Sequence, residues 1–305
     1  MSDPLTSNDI RQTFAVKKIK RDKPPHKARI DPNHEAIVLK DIKDRHPNLV
    51  SLLVAYKHHG DYHFVFPWAE ADLKGYWETI NPKPSGADRN ATLKWLVTQC
   101  KGLADGLSSI HCYSTTSSNL HGRSTFHPDN FSDNANHVLF GRHGDIKPEN
   151  ILWYPEIPST PGTVGGILKI TDFGFSEFSS KPKVDREGRG FIVNSPSYRA
   201  PEINITTGDG LIGPSYDVWA LGCIYLEFLA WWLGGRDYVQ SFANRRLDFD
   251  IAHWKGRTTN YRTDGFFLII NFQVPDEERV EVRKSVNEVS RNNIGIMHLS
   301  VDLVV

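Results

Sequence analysis

RHGDIKPENILW, from Arg142 to Trp153, places an aspartate, a lysine and an asparagine within six residues, beside a histidine and ahead of an apolar run. Asp145 can accept a proton, Lys147 can stabilise negative charge, and Asn150 offers an amide oxygen to a hard cation. That spacing predicts machinery for handling phosphate. The apolar ILWY that follows reads as a short strand. It is joined to a similar run, ILKI at Ile167–Ile170, by the turn-rich PEIPSTPGTVGG.

Upstream, FAVKKIK (Phe14–Lys20) begins with alternating apolar positions and predicts a strand carrying Lys17. DPNHEAIVLKDI has a proline near its start, with Ala36, Ile37, Leu39 and Ile42 at helical spacing, and predicts a helix bearing Glu35. LVSLLVAY and YHFVF are β-rich runs joined by KHHGD, a hairpin signal. PKPSG (Pro82–Gly86) is a loop, and helical periodicity runs from Leu93 to Ile110. Residues 113–138, rich in Ser, Thr, Asn, Asp and His, predict an exposed insertion. Beyond residue 215 the chain reads as mostly helical until a weakly patterned tail.

Composition narrows the function classes. Thirty-six basic and 36 acidic residues cancel, so no global field points to nucleic acid or an anionic membrane. The cluster Lys17, Lys18, Lys20, Arg21 and Lys23 reads as a solvated strand end rather than a nuclear address. Cys100, Cys112 and Cys223 are too few and too far apart for a disulfide framework or a thiolate zinc site, which suits a reducing compartment. His58, His59 and His63 lack acidic or thiol partners at metal-site spacing. MSDPLTSNDI has no apolar core and is not read as a signal peptide. Trp219–Leu233 is too short to span a bilayer and contains Glu227, so it predicts a buried core helix and no membrane span.

In order along the chain stand a strand lysine, a helix glutamate, HGDxKxxN, DFG (Asp172–Gly174), APE (Ala200–Glu202) and DxWxLG starting at Asp217. This order resembles the eukaryotic protein kinases, over roughly residues 11 to 235. The resemblance implies an α+β, bilobal fold. An incomplete small antiparallel β lobe with one helix (11–66) would follow an extension at 1–10. A larger, mainly helical lobe (67–305) would carry the insertion and the atypical tail. It also implies ATP and Mg²⁺ as cofactors and a protein serine or threonine as acceptor. Asp145 would be the catalytic base and Lys147 the group that stabilises the moving phosphate. Lys17, paired with Glu35, would contact the nucleotide phosphates. Phe66 would stand at the adenine pocket, with the Pro67, Trp68 and Ala69 backbone as the connector. Asn150 and Asp172 would hold metal. His143, Phe173, Gly174, Ser195, Ala200, Pro201, Glu202 and Asp217 would shape the catalytic loop and activation segment.

Gly144 is the ambiguous letter, because His-Gly-Asp followed by Asn also resembles small-molecule phosphotransferases of the aminoglycoside and choline kinase type. Lys147, the TDFG at Thr171–Gly174 and NSPSYRAPE (Asn194–Glu202) favour the protein kinases. Lys147 and Ser195 resemble the serine/threonine subclass. Gly144 stands where many kinases carry an arginine that pairs with a phosphorylated activation loop, so phosphate on Ser179 or Ser180 would lack that partner and activity should not depend on it. Arg142 should point elsewhere.

Two departures from the family pattern are expected to matter. No glycine precedes Arg11, so the glycine-rich phosphate loop and two strands are missing, leaving a sheet edge beside Lys17. After Gly235 there is no clear arginine partner for Glu202, and the chain ends at SVDLVV. Both ends read as truncated, and the whole resembles kinase-like proteins of filamentous fungi. The function expected is an intracellular, cytoplasmic or nuclear serine/threonine kinase. The alternative is a pseudokinase or binding module that transfers little phosphate.

Overall fold

A computed structural model describes residues 13–19, 32–42, 45–82, 88–116, 136–156, 164–179, 184–185, 195–203, 211–254, 257–270 and 279–292. The glycine-free N-terminal stretch, the PKPSG loop beyond Pro82, the centre of the insertion, Ser180 and the final SVDLVV lie outside these residues. The class is mixed α+β, in two lobes, with small antiparallel sheets and packed helices.

In the small lobe, β1 (Phe14–Ile19), β2 (Val54–His58) and β3 (Asp61–Pro67) form an antiparallel sheet in the order β1-β3-β2. His59 and Gly60 join β2 to β3, both with positive φ, as a two-residue primed turn requires. Among the described residues no strand pairs with the outer edge of β1. Helix α1 (Pro32–Ile42) begins with a proline whose missing N–H costs nothing in a first turn. It buries Glu35, Val38, Leu39 and Ile42 on one face, the 3- and 4-residue spacing of a helix stripe.

LVSLLVAY is not one strand. Asn48–Val50 leaves the small lobe and sews onto the large one. The Val50 N–H donates to Ile170 O at 2.9 Å and the Ile170 N–H to Asn48 O at 2.8 Å. The run meets β3 only in its second half, where the Leu53 N–H donates to Val65 O at 2.9 Å and strand pairing continues from Val54, because Leu49 and Val50 already have their partners on β8.

The large lobe is built around α3 (Asp88–His111) and α4 (Ser215–Arg246), with the short α2 (Leu73–Thr79) capped by the Asp72 carboxylate. Strand β4 (Ala71–Asp72) pairs with β7 (Ile151–Tyr154), which pairs with β8 (Ile167–Ile170), the two strands expected around the central turn. The insertion is not loop throughout: its ends form β5 (Cys112–Thr116) and β6 (Asn136–Arg142), antiparallel to one another, and β9 (Glu177–Ser179) adds to β6. A two-stranded ribbon, β10 (Val184–Asp185) with β11 (Leu211–Ile212), precedes α4. The core is aromatic: Tyr76 packs on Trp95, Trp153 and Trp231 at centroid distances of 5.3, 4.9 and 5.5 Å.

Helix α4 is longer than the expected Trp219–Leu233. Its length and apolar composition would suffice to cross a bilayer, yet it packs into the core with Asp217, Glu227 and Arg246 buried. It is also not straight. Gly235 has φ +70 and ψ −161, a conformation that essentially only glycine adopts, and the helix kinks there.

The expectation of helix up to the tail fails after Arg246. Two antiparallel pairs follow, β12 (Asp248–Trp254) with β13 (Arg257–Thr263) and β14 (Phe267–Ile270) with β15 (Arg279–Val282), before α5 (Lys284–Asn292). The signal in the sequence was the two-residue period of Phe249 and Ile251 ahead of the Lys255–Gly256 pair, which fits a hairpin and not a helix.

Candidate active site

Strand β6 delivers the chain into residues 143–150, and a 3-10 turn at Pro148–Asn150 returns it to β7. His143 is fully buried at the base of this loop. Its Nδ1 accepts from the Asp145 N–H at 3.3 Å, so Nε2 carries the proton and donates to Thr171 O at 2.9 Å. Burial holds its pKa below the usual histidine value, in keeping with a neutral ring. The Phe173 ring meets it edge-on at 5.1 Å.

Asp217, at the start of α4, fastens the loop from below. Its carboxylate accepts from the His143 N–H at 2.6 Å and the Gly144 N–H at 2.8 Å, and lies 3.0 Å from His111 Nε2. Burial would raise its pKa. The hydrogen bond and charge of His111 and the loop N–H groups outweigh it and hold the group ionised.

Above this support Asp145, Lys147 and Asn150 converge. Lys147 Nζ lies 2.8 Å from Asp145 Oδ2, and Asn150 Nδ2 donates to the same oxygen at 3.0 Å and to Asp145 O at 2.8 Å. The other Asp145 oxygen, Oδ1, faces the Ser195 hydroxyl at 3.4 Å. A carboxylate 4% exposed, with one oxygen held by two donors and the other facing a hydroxyl, is placed to accept a proton.

A second charged cluster sits between the lobes. Lys17 Nζ bridges Glu35 at 2.6 Å and Asp172 at 2.8 Å. Burial would lower the lysine pKa, but the Glu35 and Asp172 carboxylates raise it above its usual value. Burial likewise would raise Asp172, and Lys17 brings it down. Asp172 adopts φ 64 and ψ 70, a left-handed backbone that costs a non-glycine residue about 1–2 kcal/mol. Phe173 next to it is fully buried and holds the turn, and Gly174 lies beside Asp172 and Glu35.

The remaining expected residues fall around these clusters. Phe66 and Pro67 end β3, Trp68 is 54% exposed, and Ala69 leads to β4. Pro67 O accepts from the Tyr154 hydroxyl at 3.4 Å. Ala200 is buried, and Pro201 and Glu202 form a 3-10 turn with Ile203.

Three sets of partners escaped the motif reading. His111 reaches Asp217 from the end of α3. Arg142 does point away from the 143–150 loop: its Nη2 meets Glu177 Oε2 at 2.9 Å across the β6–β9 pairing, and its guanidinium lies over the Tyr216 ring. Glu227, Arg246, Asp264 and Tyr198 form a buried polar group. Arg142 and Glu177 are 35 residues apart in sequence, so only the strand pairing joins them.

A model of the protein kinase domain matches residues 135–234. Similar proteins include cyclin-dependent kinase-like 4 of Homo sapiens, 28% identical over 254 residues, covering 81% of this chain and 54% of that protein. Cyclin-dependent kinase-like 1 of Caenorhabditis elegans is 26% identical over 281 residues, covering 90% and 64%. Cyclin-dependent kinase D-1 of Arabidopsis thaliana is 30% identical over 222 residues, covering 72% and 42%. The chain thus spans about half the length of these relatives.

Proposed function

Because this chain belongs to the eukaryotic protein kinase superfamily, we propose that it transfers the γ-phosphate of ATP to a serine or threonine hydroxyl of a protein substrate. The observation that carries this reading is the Asp145 carboxylate, held by Lys147 and Asn150 on one oxygen and facing a hydroxyl, that of Ser195, with the other. A substrate hydroxyl in that position would give its proton to Asp145 as its oxygen attacks phosphorus. Lys147 would lie beside the charge that develops on the transferring group. Lys17, fixed by Glu35, would hold nucleotide phosphates, and the connector at Phe66–Ala69 would line the adenine site.

The donor set fits Mg²⁺. Asn150 commits its amide nitrogen to Asp145, which leaves the amide oxygen as the atom for a hard cation, and Asp172 supplies a partly exposed carboxylate. When bound there, Mg²⁺ would neutralise charge on the phosphates. An ATP-dependent reaction and three unpaired cysteines suit an intracellular setting, cytoplasmic or nuclear.

A second reading, a kinase-fold binding module with little transfer, draws on one observation: among the described residues the strand bearing Lys17 has an uncovered edge. Transfer from γ-labelled ATP to a generic basic protein, with Asp145→Asn as control, separates the two. We expect incorporation that the substitution abolishes. Equal label with wild type and variant would remove the catalytic reading.

A further inference from the structure

Arg246 is fully buried, yet it lies far from the residues discussed above in sequence and belongs to none of the motifs. It is 19 residues from Glu227 on the same helix, a separation of about 28 Å had α4 run straight. The kink at Gly235 folds the helix back, and Arg246 Nη2 reaches Glu227 Oε1 at 2.6 Å. Its Nε donates to Asp264 O at 2.9 Å, and Nη2 lies 3.8 Å from the Asp264 carboxylate. The flat guanidinium is sandwiched between the Phe242 and Phe266 rings, each centroid 4.0 Å away.

Both acids reach onward to the same short segment. Glu227 Oε2 accepts from the Tyr198 hydroxyl at 2.8 Å, and Asp264 accepts from the Ser197 hydroxyl. Ser197 and Tyr198 belong to one 3-10 turn, Pro196–Tyr198, whose preceding residue is Ser195, opposite Asp145. One arginine therefore orients two carboxylates that hold two adjacent hydroxyls, immediately beside the residue that faces the catalytic carboxylate.

Taking the protein-kinase reading as its basis, we propose that Arg246 is a positioning residue for the acceptor-binding segment. Through Glu227 and Asp264 it fixes Tyr198 and Ser197, and so sets how a protein substrate presents its hydroxyl to Asp145. With both Glu227 oxygens engaged, the acid is a structural anchor and is not offered to a basic side chain of the substrate. Nucleotide binding, on the far side of Asp145, does not depend on it.

The test uses the full chain. Arg246→Met with Glu227→Gln removes both charges at similar volume, leaving no unpaired buried ion. Tyr198→Phe removes one tether and leaves Arg246 in place. Each should raise KM for the protein substrate about tenfold, the factor carried by one hydrogen bond to a charged group, with KM for ATP changed less than about twofold. Backbone amides of Ser197, Tyr198, Arg199, Ala200, Glu202 and Ile203 should exchange with solvent about tenfold faster, while those of α3 at Leu96–Leu107 keep their protection. Unchanged substrate KM and unchanged exchange in Tyr198→Phe would overturn the proposal. So would equal changes in both KM values. If the double variant loses protection in α3 as well, Tyr198→Phe alone decides. If wild type transfers no phosphate, the kinase reading fails, and the exchange measurement still judges the anchoring.

Discussion

Gly144 donates its backbone N–H to Asp217 at 2.8 Å from a backbone with φ +84. The residue that made the loop ambiguous thus has a structural reason for being glycine. A Cβ there would come within 2.9 Å of Phe175 O, and the backbone lies in the left-handed region. Gly144→Ala should cost about 1–3 kcal/mol, read as a lower urea midpoint, and should lower kcat by displacing Asp145. An unchanged midpoint would mean the loop relaxes without penalty.

Gly235 and Gly222 make a matched pair within α4. Gly235 holds the kink with φ +70, whereas a Cβ on Gly222 would meet nothing within 4 Å in ordinary helix. Gly235→Ala should destabilise by about 1–3 kcal/mol, because the alanine must be strained or the helix must straighten and part Arg246 from Glu227. Gly222→Ala should stabilise by about 0.5–1 kcal/mol. Chemical denaturation of both variants checks the signs, which must be opposite.

Lys17 balances two carboxylates, and Glu35 is nearly buried. Lys17→Met should raise KM for ATP tenfold or more and destabilise the free protein by about 1–2 kcal/mol, a figure already discounted because the lysine is 39% exposed. Glu35→Gln in that background should recover stability without recovering transfer. Thermal unfolding and label incorporation, measured on the same samples, separate the two effects.

Arg142 is occupied by Glu177 and Tyr216, and Gly144 supplies no guanidinium. The ion pair thus ties β9, just after DFG, to β6 without phosphate. Phosphatase treatment should leave transfer within about twofold of the untreated protein. Glu177→Gln should lower it, since an ion pair whose side chains are 18% and 23% exposed contributes about 1 kcal/mol. Loss of activity on dephosphorylation would refute this.

Alkaline pH should unfold the protein through its buried tyrosines. Burial pushes Tyr154 and Tyr216 up to about 12 from the usual 10. Between those values the unfolded chain has released its phenolic protons and the folded one has not, so stability present below pH 10 declines as pH rises toward 12. The urea midpoint, followed across that range by near-ultraviolet dichroism, should fall steadily. Tyr154→Phe should make the decline shallower.

Local chemistry was legible wherever a motif keeps its partners close along the chain. Asp145, Lys147 and Asn150 meet because they share one loop, and β7 with β8 was readable from two apolar runs across a turn. The strand of Lys17 and the helix of Glu35 followed from periods of two and 3.6. Where the reading went wrong, a competing contact had intervened. Leu49 and Val50, at the start of LVSLLVAY, took their backbone partners from β8 and not from the small-lobe sheet. The stretch after Arg246 carried a strand period inside a region read as helix.

The linear order of lysine, glutamate, HGDxKxxN, DFG, APE and DxWxLG by itself determined the family, because so many elements in one fixed order do not arise by coincidence. Tertiary structure alone decided what orients them. Arg142 with Glu177, His111 with Asp217, and Arg246 between Glu227 and Asp264 each join residues brought together by strand pairing, helix packing or the kink at Gly235. A buried charge leaves little trace in a linear pattern. Arg246 reads there as an ordinary basic residue at a helix end, until folding removes it from water and compels it to find its acids.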